Sequence, residues 1–168
     1  MPEISITDEF IIEAQKFDGQ RETEGSNRSA FIDKINRWIG ESMGEPYCAT
    51  GICYVLHLLE SKFSIKFALP KTSSSRSFFM SSKTKYRKSA IKRGRIVVWE
   101  SKTGGAFGHI SFVISDIDSN NNFETFEFNT SFSSETLEGV GYKLRNKLTD
   151  PKFKVLGVVD ISTAWKKI

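Results

Sequence analysis

A cysteine that follows a proline and an aromatic residue, and that precedes an apolar run at helical spacing, constrains this chain more than any other feature. The apolar residues recur every three to four positions, which predicts the buried face of a helix beginning at Cys48. They are Ile52, Val55, Leu56 and Leu59. Unpaired backbone N–H groups and the helix dipole favour a thiolate in a first turn, and the thiolate is the nucleophilic form of cysteine. Cys48 is therefore a candidate nucleophile, although a lone cysteine is more often a small buried apolar residue.

Length and composition predict a single globular domain over residues 1–168. A chain of 168 residues with 39% hydrophobic residues can bury a sizeable core. Its longest apolar runs fall short of the roughly 20 residues of a membrane span. Residues 1–5 lack a basic region followed by an apolar segment, so we expect synthesis in the cytoplasm without a signal peptide.

The distribution of charge is more informative than the net charge of +4. Eleven basic residues and no acidic residue lie between Lys62 and Arg95. Such a stretch could bind a polyanion such as nucleic acid, anionic lipid or an acidic cell-wall polymer. A solvated basic loop without any partner fits the same pattern.

Helical periodicity comes first in the chain and strand patterns come later. Amphipathic spacing predicts helices over 8–17, 29–39 and 48–62, followed by a serine-rich excursion over 70–95. Short β-branched and aromatic runs then predict about five strands over 95–100, 109–115, 123–129, 141–145 and 154–161. An asparagine-rich turn at 118–122 predicts a hairpin. The order indicates an α+β fold with an antiparallel sheet.

The chain has only two histidines that could serve as a base for the thiol. His57 lies nine residues after Cys48 on the same predicted helix, so it points away and lies about 13 Å along the axis. His109 follows the glycine-rich segment 104–108 and opens an apolar strand, where a side chain is both rigidly held and accessible. His109 is therefore the candidate general base.

Two polar residues on the next predicted strand could orient this histidine. With a period of two, Glu127 and Asn129 share one face of the strand while Phe128 occupies the other. If the two strands are neighbours, either polar side chain could accept a hydrogen bond from the imidazole. An exposed sheet face is the alternative explanation of the same pattern.

The order of these elements resembles a known family. Pro-aromatic-Cys-Ala at a helix start, Gly-His at the head of an apolar strand and the run Thr-Phe-Glu-Phe-Asn-Thr-Ser are similar to the CHAP and NlpC/P60-like cysteine peptidases and amidases. The resemblance is particularly to the endolysin-type CHAP domains of phages and bacteria. The resemblance covers about residues 20–161. It includes the further elements 24–28, 139–145 and 155–161.

This resemblance implies a papain-like thiol hydrolase fold without metal or cofactor. Cys48 would be the nucleophile and His109 the general base and later acid, with Glu127 and Asn129 completing the catalytic set. The residues implied in substrate binding are Tyr47, Gly108 and Trp99.

The family acts on peptidoglycan, as N-acetylmuramoyl-L-alanine amidases or as endopeptidases. The enzyme would reach the bacterial wall through holin-dependent release or delivery as an effector, in which case an inhibitor or immunity protein is an expected partner. Nucleic acid is not an expected partner of such an enzyme.

Other classes of function remain open in the sequence. A polyanion-binding protein would use the basic stretch 62–95, with Phe78, Phe79 and Tyr86 stacking on bases. A thiol acyltransferase of transglutaminase-like type would share Cys48 and His109 but transfer the acyl group to an amine.

Serine and zinc chemistry are disfavoured by their local patterns. Residues 40–44 match the Gly-x-Ser-x-Gly motif, yet an amphipathic helix precedes them where a serine hydrolase has a strand. Two cysteines and two histidines lack the paired spacing of a zinc site.

Overall fold

The structure of the chain, a computed structural model, describes residues 5–23 and 25–168. The absence of a signal peptide was inferred from residues 1–5, and residues 1–4 lie outside the described ranges. Glu24, the first residue of the family-like element 24–28, lies outside them as well.

Four α-helices lie in the first half of the chain, counted over the described residues. They are α1 (Ile6–Gln15), α2 (Ala30–Ile39), α3 (Cys48–Phe63) and α4 (Ser75–Ser81). The first begins two residues earlier than predicted because Ser5 is its N-cap and accepts a hydrogen bond from the Asp8 N–H at 3.4 Å. The second ends as predicted at Gly40, whose φ of 94° is the left-handed conformation that glycine adopts at low cost. Within the described ranges, none of the helices has the length and apolarity needed to cross a membrane.

Within the part of the chain that the structure describes, eight strands follow or interleave with the helices. They are β1 (Ile65–Phe67), β2 (Arg87–Lys88), β3 (Arg95–Ser101), β4 (Gly108–Val113), β5 (Asn122–Thr130), β6 (Gly139–Asn146), β7 (Phe153–Asp160) and β8 (Trp165–Lys167). Six of them form one antiparallel sheet in the order β2-β7-β3-β4-β5-β6, and β1 pairs with β8. The α+β class and the hairpin between β4 and β5 are thus confirmed.

The number of strands differs from the prediction of about five. The sixth strand of the sheet, β2, is only two residues long and lies inside the predicted excursion 70–95. A two-residue strand leaves no detectable alternation of polar and apolar residues, so its place is set by pairing with β7.

Helix α3 packs closely on the sheet and positions the site. It contacts β4 and β5, and its first nine residues are all buried. Gly51 permits this approach, because a Cβ atom there would lie 2.1 Å from the ring of Phe128. The start of α3 is therefore held against the strands that carry the other candidate residues.

Candidate active site

Cys48 is the first residue of α3, as the sequence predicted. Its side chain is buried at 6% exposure, and it borders a cavity of about 490 Å³. The preceding residue, Tyr47, is the N-cap but makes no side-chain capping hydrogen bond. Because that cap does not satisfy the first-turn N–H groups, the helix start retains the positive character that favours negative charge nearby.

His109 lies at the start of β4, opposite Trp99 of β3. It is 5% exposed, and its ring stacks on Phe153 with centroids 5.9 Å apart. The residue before it must be small, because a Cβ atom on Gly108 would lie 2.6 Å from the carbonyl oxygen of Trp99 and 2.9 Å from Ser75 Oγ. Strand pairing and close packing thus hold the imidazole rigidly at the edge of the cavity.

Cys48 and His109 line the same cavity although they are 61 positions apart in the chain. Burial alone would lower the pKa of His109, but the charge of Glu127 and the interaction with Cys48 outweigh it and raise this pKa from 6.5 to about 9. Since Nε2 contacts Glu127, Nδ1 is the ring nitrogen left to face the thiol.

Glu127, not Asn129, orients the imidazole. Its Oε2 lies 2.8 Å from His109 Nε2, and its side chain is completely buried. Arg145 donates two hydrogen bonds to this carboxylate, from Nε at 2.8 Å to Oε1 and from Nη2 at 2.7 Å to Oε2. Ser111 and Thr125 donate their hydroxyl protons to Oε1, at 3.0 and 2.6 Å.

This set of donors keeps Glu127 charged in an apolar setting. Burial would raise its pKa, but the charges and hydrogen bonds of His109 and Arg145 hold the pKa well below the usual 4.5. Arg145 also forms an ion pair with Asp150, in which Nη1 lies 2.8 Å from Oδ2. The buried chain from His109 through Glu127 and Arg145 to Asp150 therefore alternates in charge.

Asn129 occupies an irregular position that the predicted alternation did not include. The pairing of β5 with β6 shifts register between Glu127 and Thr130, and Asn129 has a φ of 57°. It lines the cavity, but no hydrogen bond joins it to His109 in the described ranges, and its Oδ1 is buried there without a partner. The bulge thus turns Asn129 out of the row that contains Glu127.

Two cavities meet at Cys48 and form one groove. The larger, of about 490 Å³, extends towards β6, and a smaller one of about 230 Å³ extends towards α4. Of the three residues predicted to bind substrate, Gly108 lines both cavities, whereas Tyr47 and Trp99 are fully buried and line neither. Phe107, 79% exposed, lines both cavities and was not singled out from the sequence.

The remaining cysteine and histidine lie away from this groove. The Cys53 thiol is within 3.5 Å of the Thr72 carbonyl oxygen, and burial raises its pKa to about 11. His57 is half-buried, and its ring packs on Trp38 with centroids 5.0 Å apart. Both cysteines are free thiols, and no cluster of potential metal ligands occurs within the described residues.

Sequence reasoning missed the residues that support Glu127. Arg145, Ser111 and Thr125 contact the carboxylate from three different strands, and Asp150 follows β6. One signal was present: Arg145 and Lys143 stand two residues apart on a predicted strand, so they share one face. Only the strand order shows that this face meets Glu127.

No protein-family model matches the chain, and a search of curated proteins finds no match.

Proposed function

We propose that this protein is a cysteine hydrolase of papain-like type that cleaves amide bonds in peptidoglycan. The observation that carries the proposal is that Cys48 and His109 line one cavity, while the buried Glu127 contacts the ring nitrogen of His109 that faces away from the thiol. A nucleophile, a base and a group that orients the base are the three parts that thiol catalysis requires.

Each residue has a defined role in the proposed reaction. The sulfur of Cys48 attacks the amide carbonyl carbon, and N–H groups at the start of α3 stabilise the resulting oxyanion. His109 donates its proton to the leaving nitrogen, the C–N bond breaks and a thioester remains. Water then attacks the thioester and gives a proton to His109, the C–S bond breaks, and the thiolate and imidazolium are restored. Glu127 positions the imidazole throughout and stabilises its positive charge before it donates the proton and after it regains one.

The assignment to peptidoglycan rests on the resemblance to CHAP and NlpC/P60-like enzymes. The matching motifs are the ones that contain the three converging residues. The proposed enzyme is thus an N-acetylmuramoyl-L-alanine amidase or an endopeptidase that acts on the bacterial wall.

The packing of the basic stretch 62–95 favours this proposal over nucleic-acid binding. Several of its cations pair with acids of the protein itself: Lys62 with Glu9 and Glu13, Lys66 with Glu60, Arg93 with Asp8 and Arg95 with Asp160. Phe78 and Tyr86, two of the three candidate stacking residues, are buried. The cations that stay exposed could still hold the enzyme on an anionic wall.

The proposed activity is tested by wall lysis. Purified Gram-positive walls and permeabilised Gram-negative cells should lose turbidity with the wild-type protein and not with Cys48→Ala. The masses of the released fragments would identify the cleaved bond. If the enzyme transfers the acyl group to amines, adding an amine to the reaction would yield new amide products.

The matched control is Cys53→Ala, which removes a thiol on the same helix but away from the groove. It should retain wall lysis. Equal clearing by wild type and Cys48→Ala would refute the proposal, as would no clearing by a folded wild-type protein.

A further inference from the structure

Lys143 is a half-buried cation in the wall of the active-site cavity. It lies on β6, and its Nζ donates to the Ser131 carbonyl oxygen at 2.6 Å and contacts the hydroxyls of Thr130 and Ser131 at 3.3 Å. Burial, and to a lesser extent the nearby charge of Arg145, lower its pKa. These contacts fix the ammonium group in place but bring it no negative charge.

No carboxylate of the described residues lies within ion-pair distance of Lys143. The acids nearby are engaged elsewhere: Glu127 pairs with His109 and Arg145, and Asp150 pairs with Arg145. The cavity is also lined by Lys152, for which the described residues provide no ion pair, and by one further acid, Glu138. The charge left unneutralised by pairing on this side of the groove is therefore positive.

The opposite side of the groove has the reverse character. The smaller cavity is lined by Glu41 and Glu45 together with three serines, Ser73, Ser74 and Ser75, and no lysine or arginine lines it. Both cavities border Cys48. The electrostatic potential is therefore more positive on the Lys143 side of the thiol than on the α4 side. A negatively charged part of a ligand is favoured on the Lys143 side alone.

We infer that Lys143 is a specificity-determining residue that binds a substrate carboxylate on the β6 side of the scissile amide. This inference rests on the proposed hydrolysis at Cys48 and names its substrate class: a peptide segment with a free carboxylate next to the cleaved bond. A singly charged carboxylate fits better than a phosphate, because Glu138 in the same wall opposes a second negative charge.

The first test measures the field at Cys48 without relying on hydrolysis. Rates of alkylation by iodoacetate and by iodoacetamide are compared, with the product at Cys48 quantified by peptide mass spectrometry. In Lys143→Met the ratio of the iodoacetate rate to the iodoacetamide rate should fall about tenfold, as expected for removing one positive charge from the wall of the cavity that Cys48 also lines. Lys66→Met, which makes the same charge change at a lysine paired with Glu60, should leave the ratio unchanged.

The second test measures cleavage of walls whose carboxylates are free or have been converted to methylamides with carbodiimide. Wild type should favour the native walls, Lys143→Met should lose that preference, and Lys143→Arg should recover part of it. The loss should come mainly from KM, because Lys143 contacts the substrate away from the reacting atoms.

The outcomes separate this inference from the proposed function. An unchanged alkylation ratio in folded Lys143→Met overturns the carboxylate site, even if walls are cleaved at Cys48. A reduced ratio without any wall cleavage supports an anion site beside Cys48 and rejects peptidoglycan hydrolysis. Equal cleavage of native and amidated walls by wild type also overturns the inference.

Discussion

At the scale of single residues, the site depends on one carboxylate that stays ionised inside the protein. An isolated buried charge is strongly disfavoured and would take up a proton. Glu127 avoids this because it accepts five hydrogen bonds, two of them from Arg145. Its charge in turn raises the pKa of His109 to about 9, so the imidazole is protonated at neutral pH.

Replacing Glu127 with glutamine should lower the pKa of His109 to 6.5 or below. The reason is that burial, which lowers this pKa, is then opposed only by Cys48. Cys48→Ala should produce a smaller decrease. Imidazole NMR titration of His109 measures both changes. A value near 9 in folded Glu127→Gln would contradict this account.

At the scale of secondary-structure elements, the geometry of the site follows from how closely α3 lies on β5. Gly51 and Phe128 form the point of contact, and the helix start that carries Cys48 lies one turn before it. Strand β6 lies next to β5 in the sheet and contributes Arg145, whose guanidinium pairs with the Glu127 carboxylate. Two element contacts therefore determine whether the thiol, the imidazole and the carboxylate align.

Gly51→Ala should destabilise the protein although alanine favours helices by about 1 kcal/mol relative to glycine. The added methyl group would overlap the Phe128 ring, so α3 must move away, at an expected cost of about 1–3 kcal/mol. Urea unfolding measures the difference. The double variant Gly51→Ala/Phe128→Leu should regain part of the loss relative to Phe128→Leu alone, and additive effects would show that the two residues are not in steric conflict.

Arg145→Met should cost about 3–5 kcal/mol of folding free energy, because it leaves the buried Glu127 carboxylate without its guanidinium partner. Arg93→Met is the matched control, since its ion pair with Asp8 is exposed. That variant should change stability by about 1 kcal/mol or less. Similar losses in the two variants, measured by chemical denaturation, would argue against a charged Glu127.

At the scale of the whole molecule, the coupled charges of His109 and Glu127 make folding depend on pH. The pKa of His109 is raised from 6.5 to about 9, so its stabilisation is complete below pH 6.5 and is lost as the pH rises through 9. The pKa of Glu127 is lowered, so its stabilisation is present above pH 4.5 and is lost as the pH falls through the folded pKa. Stability from this pair is greatest between these limits.

The free energy of unfolding should therefore fall by about 3 kcal/mol between pH 6.5 and a pH above 9. Urea denaturation at a series of pH values measures it. His57→Gln should retain this decrease, whereas His109→Gln should abolish most of it. A wild-type profile that stays flat over this range would indicate that His109 is neutral in the folded protein.

The sequence alone determined most of the longer elements and the candidate nucleophile and base. Periodicity placed three helices and five strands to within a few residues, because amphipathic spacing records which face of each element is buried. Helix geometry separated His57 from Cys48, and the start of a strand singled out His109. Both results follow from short-range rules that act within one element.

Only the tertiary structure decided how these residues act together. The choice of Glu127 over Asn129 depends on a bulge in β5, and the support from Arg145 depends on β6 lying next to β5. Burial of Tyr47 and Trp99 and the charge on either side of the groove likewise follow from contacts between distant segments. Pairing register and burial are set by the whole chain at once, and no local pattern encodes them.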